Sequence, residues 1–130
     1  MNPPLVRFLI LAALTLSSMA CAPRQQFYWG SYEDSLFSRQ QHAGAEGEAS
    51  ALTMLASTIT DAPSDAAQKV GPGIHADYGY LLLKQGRPDE AIAELQKEAS
   101  LYPESAQLMN TMISRIQERK KKDAERKPAP

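Results

Sequence analysis

The sequence predicts an all-α fold, a short helical array in which one tight helix hairpin is flanked by further helices. Three observations predict it. Leu52, Leu55, Ala56 and Ile59 recur at i, i+3, i+4 and i+7, which places them on one face of a helix. Leu108, Met109, Met112, Ile113 and Ile116 form a second stripe of the same kind near the C-terminus. Between the two, Gly86 is followed by Pro88-Asp89-Glu90, a helix-ending residue set just before a helix-starting triplet.

Composition sets the frame for these elements. With 43% hydrophobic and 22% charged residues, the chain is ordinary for a globular protein and not for a wholly disordered one. A formal net charge of −1 gives no case for nucleic acid as a partner. At 130 residues there is room for one small domain.

In chain order, the first segment reads as an export signal. A single cation, Arg7, precedes an apolar run from Phe8 to Leu16 and a small polar stretch, Ser17-Ser18-Met19-Ala20. The run is shorter than the roughly 20 apolar residues a membrane span needs. Cys21, the chain's one cysteine, follows directly, and a lone thiol forms neither an internal disulfide nor a cysteine-based metal site. As a lipobox, Ser18-Met19-Ala20-Cys21 has the small residue required before the cysteine, but not the leucine usual three positions ahead of it. Ser18-Met19-Ala20 also suits ordinary signal peptidase. Both readings break the same bond and differ in whether Cys21 gains lipid. The expectation is a lipoprotein carrying fatty acyl chains such as palmitate on Cys21, with no other cofactor and no metal. Ala22 follows in place of the aspartate that marks inner-membrane retention in enteric-type lipoproteins, which favours the periplasmic face of the outer membrane.

Residues 21–26 are then a lipidated tether, with a reach on the order of 20 Å when extended. A helical domain is expected over 27–117. It opens on Phe27-Tyr28-Trp29-Gly30-Ser31-Tyr32-Glu33-Asp34, where Ser31 and Asp34 resemble a capping box for a helix carrying Leu36 and Phe37 and running to about Gln41. A link from His42 to Gly47 leads into the Leu52–Ile59 helix. Pro63, Gly71, Pro72 and Gly73 break the chain after it, with room for one helical turn at Ala66 to Lys69. Ile74, Tyr78, Leu81 and Leu82 mark the next helix, and Ala91, Ile92, Leu95 and Ala99 its antiparallel partner, which Tyr102-Pro103 ends. The last helix starts near Glu104 or Ser105. From Arg115 onward seven basic and three acidic residues give net +4, against net −6 from Cys21 to Ser114, and 118–130 is expected to be a charged, disordered tail.

Gly79-x-x-Leu82-x-x-x-Gly86-x-x-x-x-Ala91-x-x-x-Leu95, followed by Leu101 and Pro103, resembles one divergent tetratricopeptide repeat. Small residues at Gly79 and Ala91 let paired helices approach. Glu98 stands where a third small residue is usual, and His75 where the leading tryptophan would be. A single repeat cannot bury its own faces, so flanking helices must complete the core. Taken with this stretch, Tyr28-Trp29-Gly30-Ser31-Tyr32-Glu33 is similar to a family of small proteobacterial lipoproteins built on a domain of unknown function. Members of that family are often encoded beside a lipoprotein similar to the curli-secretion channel subunit, and the resemblance implies a component of an envelope assembly.

Tyr28, Trp29 and Tyr32 read first as packing on the helices, since a small domain with few aromatics needs them for its core; insertion among lipid headgroups and a hot spot for a partner are the other readings, and the three are the candidate partner-binding residues. The tail segment Arg119 to Lys122 reads as a solvated helix end or a contact for an anionic surface. His42 and His75 have no Cys or His neighbour at metal-ligand spacing, and no phosphate loop, nucleophile elbow or distinguished carboxylate pair is evident. The expectation is therefore a non-enzymatic adaptor or assembly factor with lipoprotein partners and no small-molecule substrate. A regulator of peptidoglycan-synthesising enzymes and a small hydrolase are the alternatives.

Overall fold

The computed structural model describes residues 26–63 and 69–126. The export segment 1–20, Cys21, the tether up to residue 25 and residues 127–130 lie outside the described residues. Among the described residues there are five α-helices: α1 Tyr32–Gln41, α2 Ala45–Asp61, α3 Ile74–Lys84, α4 Pro88–Leu101 and α5 Ala106–Arg126. A 3-10 turn at Pro103–Ser105 joins the last two. Strands β1 Phe27–Tyr28 and β2 Lys69–Val70 pair in parallel, Phe27 opposite Lys69 and Tyr28 opposite Val70. The protein is the all-α array that the periodicity predicts, each helix packing mainly on its sequence neighbour.

Two apolar clusters hold the array. Ala51 and Leu55 of α2 meet Val70 of β2 and Ile74 and Leu81 of α3, with Tyr32, Leu52 and Ile59 at the edge. Leu95 of α4 meets Met109, Ile113 and Ile116 of α5, with Ala76 and Leu83 of α3 packed against them. Burying a residue of this size contributes about 1.5–3 kcal/mol, so the two clusters fix the order of the layers.

The α3–α4 hairpin forms as its local chemistry dictates. Gly86 takes φ +75°, its N–H donates to the Leu83 carbonyl, and the Arg87 N–H reaches back to Leu82. These are the two bonds of a Schellman ending. Pro88 opens α4, with Asp89 and Glu90 in its first turn, where negative charge is stabilising. Gly79 supplies the close approach: a Cβ there would lie 3.1 Å from the Ala91 carbonyl and 3.4 Å from the Leu95 side chain.

Elsewhere the structure departs from expectation. Helix α2 begins at Ala45, so the link stops three residues short of Gly47. Gly47 is inside the helix because α1 and α2 nearly touch there: a Cβ would lie 2.0 Å from the His42 carbonyl oxygen. The buried face of α1 is Ser35 and Ser38, while Leu36 and Phe37 are exposed. Small residues are what fits so near a neighbouring backbone. No side-chain capping bond forms at Ser31; its N–H donates instead to Thr58 Oγ1 at 3.0 Å. Lys69 belongs to β2, not to a helical turn, and the expected turn's other residues, 66–68, lie outside the described residues. Leu108 points outward, 61% exposed.

The segment 118–126 is helical, not disordered, as the continuation of α5. Its Glu, Arg, Lys and Ala residues are good helix formers, Glu118 and Lys122 stand at the favourable i, i+4 order, and Lys120 is ion-paired with Asp89 of α4.

Gly47→Ala is expected to lower stability by at least about 1 kcal/mol, a fall of roughly 4–8 °C in Tm, even though alanine is the better helix former. Thermal unfolding by circular dichroism measures it, and an unchanged or higher Tm contradicts the close packing of α1 on α2.

Candidate interaction surface

Two residues of α4 and Tyr102, the residue that follows it, spaced i, i+4 and i+8, hold the start of α3 and the segment before it. Glu94 Oε2 lies 2.7 Å from His75 Nδ1, Glu98 Oε1 accepts the Gly73 N–H at 2.7 Å, and the Tyr102 hydroxyl donates to the Val70 carbonyl. Helical spacing puts Glu94 and Glu98 on one face, Tyr102 follows at the end of the helix, and the antiparallel hairpin brings residues 75, 73 and 70 opposite them in turn. Glu98 is 2% exposed, and its other oxygen has no protein partner.

A carboxylate is costly to bury unless it is hydrogen-bonded. Burial pushes the Glu94 carboxyl up, but hydrogen bonds from His75 and Lys97 outweigh this and hold it below the usual glutamate range. Ionised Glu94 has no hydrogen to give, so His75 Nδ1 is the donor. Burial raises the Tyr102 hydroxyl, helped by the charges of Glu98 and Glu104. This polar ladder was not legible as such in the sequence. Its signal was Glu98 in a small-residue position, with Glu94 and Tyr102 one turn away on either side.

Anchored in this way, β2 receives β1, and the aromatic segment folds over the junction. The Gly71 N–H donates to the Tyr28 carbonyl at 3.0 Å. Gly71 has no Cβ because the Trp29 ring occupies that place, at 2.7 Å from where one would stand. Phe27 meets Trp29 edge-on at 6.3 Å and Tyr102 at 6.2 Å, and Trp29 meets Tyr32 at 5.7 Å. Gly30, at φ +45°, sits so near Thr58 that a Cβ would come within 2.8 Å of it.

The three candidate residues are thus brought together, in different ways. Tyr28 contributes backbone pairing and is half-buried. Tyr32 packs at the edge of the first cluster, and its hydroxyl is raised by burial and by Asp77, with Arg39 opposing. Trp29 packs on Gly71 yet stays 37% exposed. Below them, Arg39 of α1 grips Asp77 of α3 through two bonds, of 3.0 and 2.5 Å, and Lys84 of α3 pairs with Glu48 of α2.

Two open grooves mark the surface. One, of about 760 Å³, lies between α3, the start of α4 and α5, where Tyr80 and Leu83 face Arg115, Ile116 and Arg119. The other, of about 440 Å³, lies between α1 and α2 and carries Asp34, Phe37, Glu46 and Met54. His75 is committed to Glu94, His42 is exposed, and among the described residues no three His, Cys, Asp or Glu are grouped to hold a metal ion. Among the described residues no helix is long and apolar enough to cross a membrane.

A family model for a domain of unknown function matches residues 26–112, from the aromatic segment into the first third of α5. No curated protein and no solved structure matches the chain.

Truncating Trp29 to alanine is expected to cost about 1–3 kcal/mol, read as a lower urea midpoint; an unchanged midpoint would show that the ring does not brace the fold. Because the Glu94 carboxyl is depressed in the folded state, its contribution is complete above the ordinary glutamate range and is lost as pH falls through the folded value. Urea unfolding of wild type and Glu94→Gln between about pH 7 and pH 3 is expected to show a shallower acid loss in the variant. Equal slopes would remove Glu94 from the ladder.

Proposed function

We propose a role for this chain from the premise that it belongs to the DUF4810 family, a domain of unknown function. The chain is a lipid-anchored lipoprotein on the periplasmic face of the outer membrane, and it acts there as a non-catalytic adaptor or assembly factor for an envelope complex. Its partners are other envelope lipoproteins, and its tetratricopeptide-like hairpin presents the contact surface.

The observation that carries this reading is how near the structured body begins to the proposed anchor. β1 starts at Phe27, six residues after Cys21, so the intervening chain spans at most on the order of 20 Å. β1 is itself stitched to β2 and, through Tyr102, to α4. A lipid on Cys21 would therefore hold the helical array close to the bilayer. Acyl chains contribute about 0.8 kcal/mol per buried methylene, and two or more make a lasting attachment. Exposed Trp29, Leu36 and Phe37 give the array apolar contact points outside its own core.

Cys21→Ser is expected to move the protein from the membrane pellet to the soluble fraction, with its helical circular dichroism unchanged. Retention in the pellet after a carbonate wash would sink the anchor. Crosslinking in cells followed by mass spectrometry is expected to join the wild-type chain to an envelope lipoprotein; crosslinks to a peptidoglycan synthase in its place would make it a regulator of cell-wall enzymes.

A further inference from the structure

The groove between α3 and α5 is ringed by cations, and two of them are already engaged: Lys84 with Glu48 and Lys120 with Asp89. Arg115 and Arg119 are exposed, and neither is ion-paired among the described residues; Asp123, one turn beyond Arg119, is the one carboxylate among the lining residues, against four cations. Four residues apart on α5, they stand one above the other, with Cβ atoms about 6 Å apart. Apolar surface lies beside them: Leu83 and the flank of Ile116 line the floor, and Tyr80 forms a wall, 47% exposed. The chain from Cys21 to Ser114 carries net −6 and the chain from Arg115 onward net +4, so the sign of the charge reverses at this groove.

We propose that the groove docks an acidic amphipathic segment of a partner protein, whose carboxylates meet Arg115 and Arg119 while its apolar side chains rest on Tyr80, Leu83 and Ile116. The proposal rests on the adaptor reading for the partner's whereabouts; the chemistry comes from the groove. A guanidinium presents a planar fork that matches a carboxylate with two parallel hydrogen bonds, and two forks one helical turn apart match two carboxylates at i, i+4 on a partner helix. The apolar floor lies between two helices. A ridge of side chains enters such a concavity, whereas the flat face of a bilayer does not reach it. Apolar surface flanked by unpaired charge is also the arrangement in which helix-in-groove contacts gain both area and register.

The test uses the full chain in neutral detergent and a fluorescent helical peptide carrying glutamates at i, i+4 beside leucines, read by anisotropy. The peptide is expected to bind more weakly as salt rises, and Arg115→Glu with Arg119→Glu is expected to weaken it about tenfold or more. Arg115→Lys with Arg119→Lys keeps the charge but loses the fork and is expected to fall between the two; circular dichroism checks that both double variants stay helical. The proposal is overturned if the lysine analogue of the peptide binds equally well, or if charge reversal leaves glutamate-peptide binding unchanged. It is overturned too if the reversal abolishes binding only to phosphatidylglycerol vesicles, or if sedimentation shows the two arginines holding a second copy of this chain. Peptide binding decides the groove whether or not the chain is lipidated, and fractionation of Cys21→Ser decides the anchor, so the two readings fail separately.

Discussion

The fold depends on the grip of α4 and the following Tyr102 on the start of α3 and the segment before it. Glu94, Glu98 and Tyr102 each take one polar group from residues 75, 73 and 70. Without them the partly buried Gly73 N–H and the buried Val70 carbonyl would lose their protein partners, and a buried group left unpaired costs about 1–3 kcal/mol. Apolar packing between α3 and α4 could slide by a fraction of a turn, whereas three directional bonds in sequence cannot. The ladder therefore sets the register of the hairpin and the position of β2, to which everything N-terminal of the hairpin is fitted.

From β2 the order passes outward. β1 pairs with it, Trp29 covers the bare backbone of Gly71, and Gly30 turns the chain against Thr58 so that α1 begins where Arg39 can reach Asp77. The aromatic segment is thus a joint between the first and second helical pairs. Its glycines are places where two surfaces come within a side chain's width of each other. A joint of this kind explains why a small domain spends so many of its rings in one short stretch: edge-to-face aromatic pairs add about 0.5–1.5 kcal/mol beyond their buried area, and β1 has only two residues with which to hold itself.

What the sequence made legible was local. The helix-ending Gly86 and helix-starting Pro88 act through bonds within a few residues, and spacing alone found Leu55, Ile74, Leu81, Leu82, Ala91 and Leu95, which are buried, whereas Leu52, Ala56, Ile59, Ile92 and Ala99 are half-buried beside Ala51, Thr58, Glu94 and Glu98. What it hid was pairing at a distance. A two-residue parallel strand has no periodicity to read, and residue 27 finds residue 69 only because the intervening helices have folded. Leu108 misled in the other direction, since an apolar residue in a helical stripe announces burial without saying whether a neighbour is there to provide it. The charged end of α5 misled through composition: net charge opposes a compact core, but a helix of Glu, Lys and Arg needs none to persist beside one. Of the candidate residues, Tyr28, Trp29 and Tyr32 were legible as a cluster, while the buried acids Glu94 and Glu98 were visible only as misfits in an apolar pattern.

The parallel pairing of β1 with β2 also ties distant parts of the chain together. Each helical pair closes between neighbours along the chain, a kind of contact that forms quickly. Residues 27 and 28 pair with residues 69 and 70, and Val70 is held both by the first cluster and by the Tyr102 hydroxyl. The N-terminal strand therefore keeps its place only through contacts that the far end of the domain provides, and a change at residue 102 reaches residue 27 directly through the Phe27–Tyr102 ring pair.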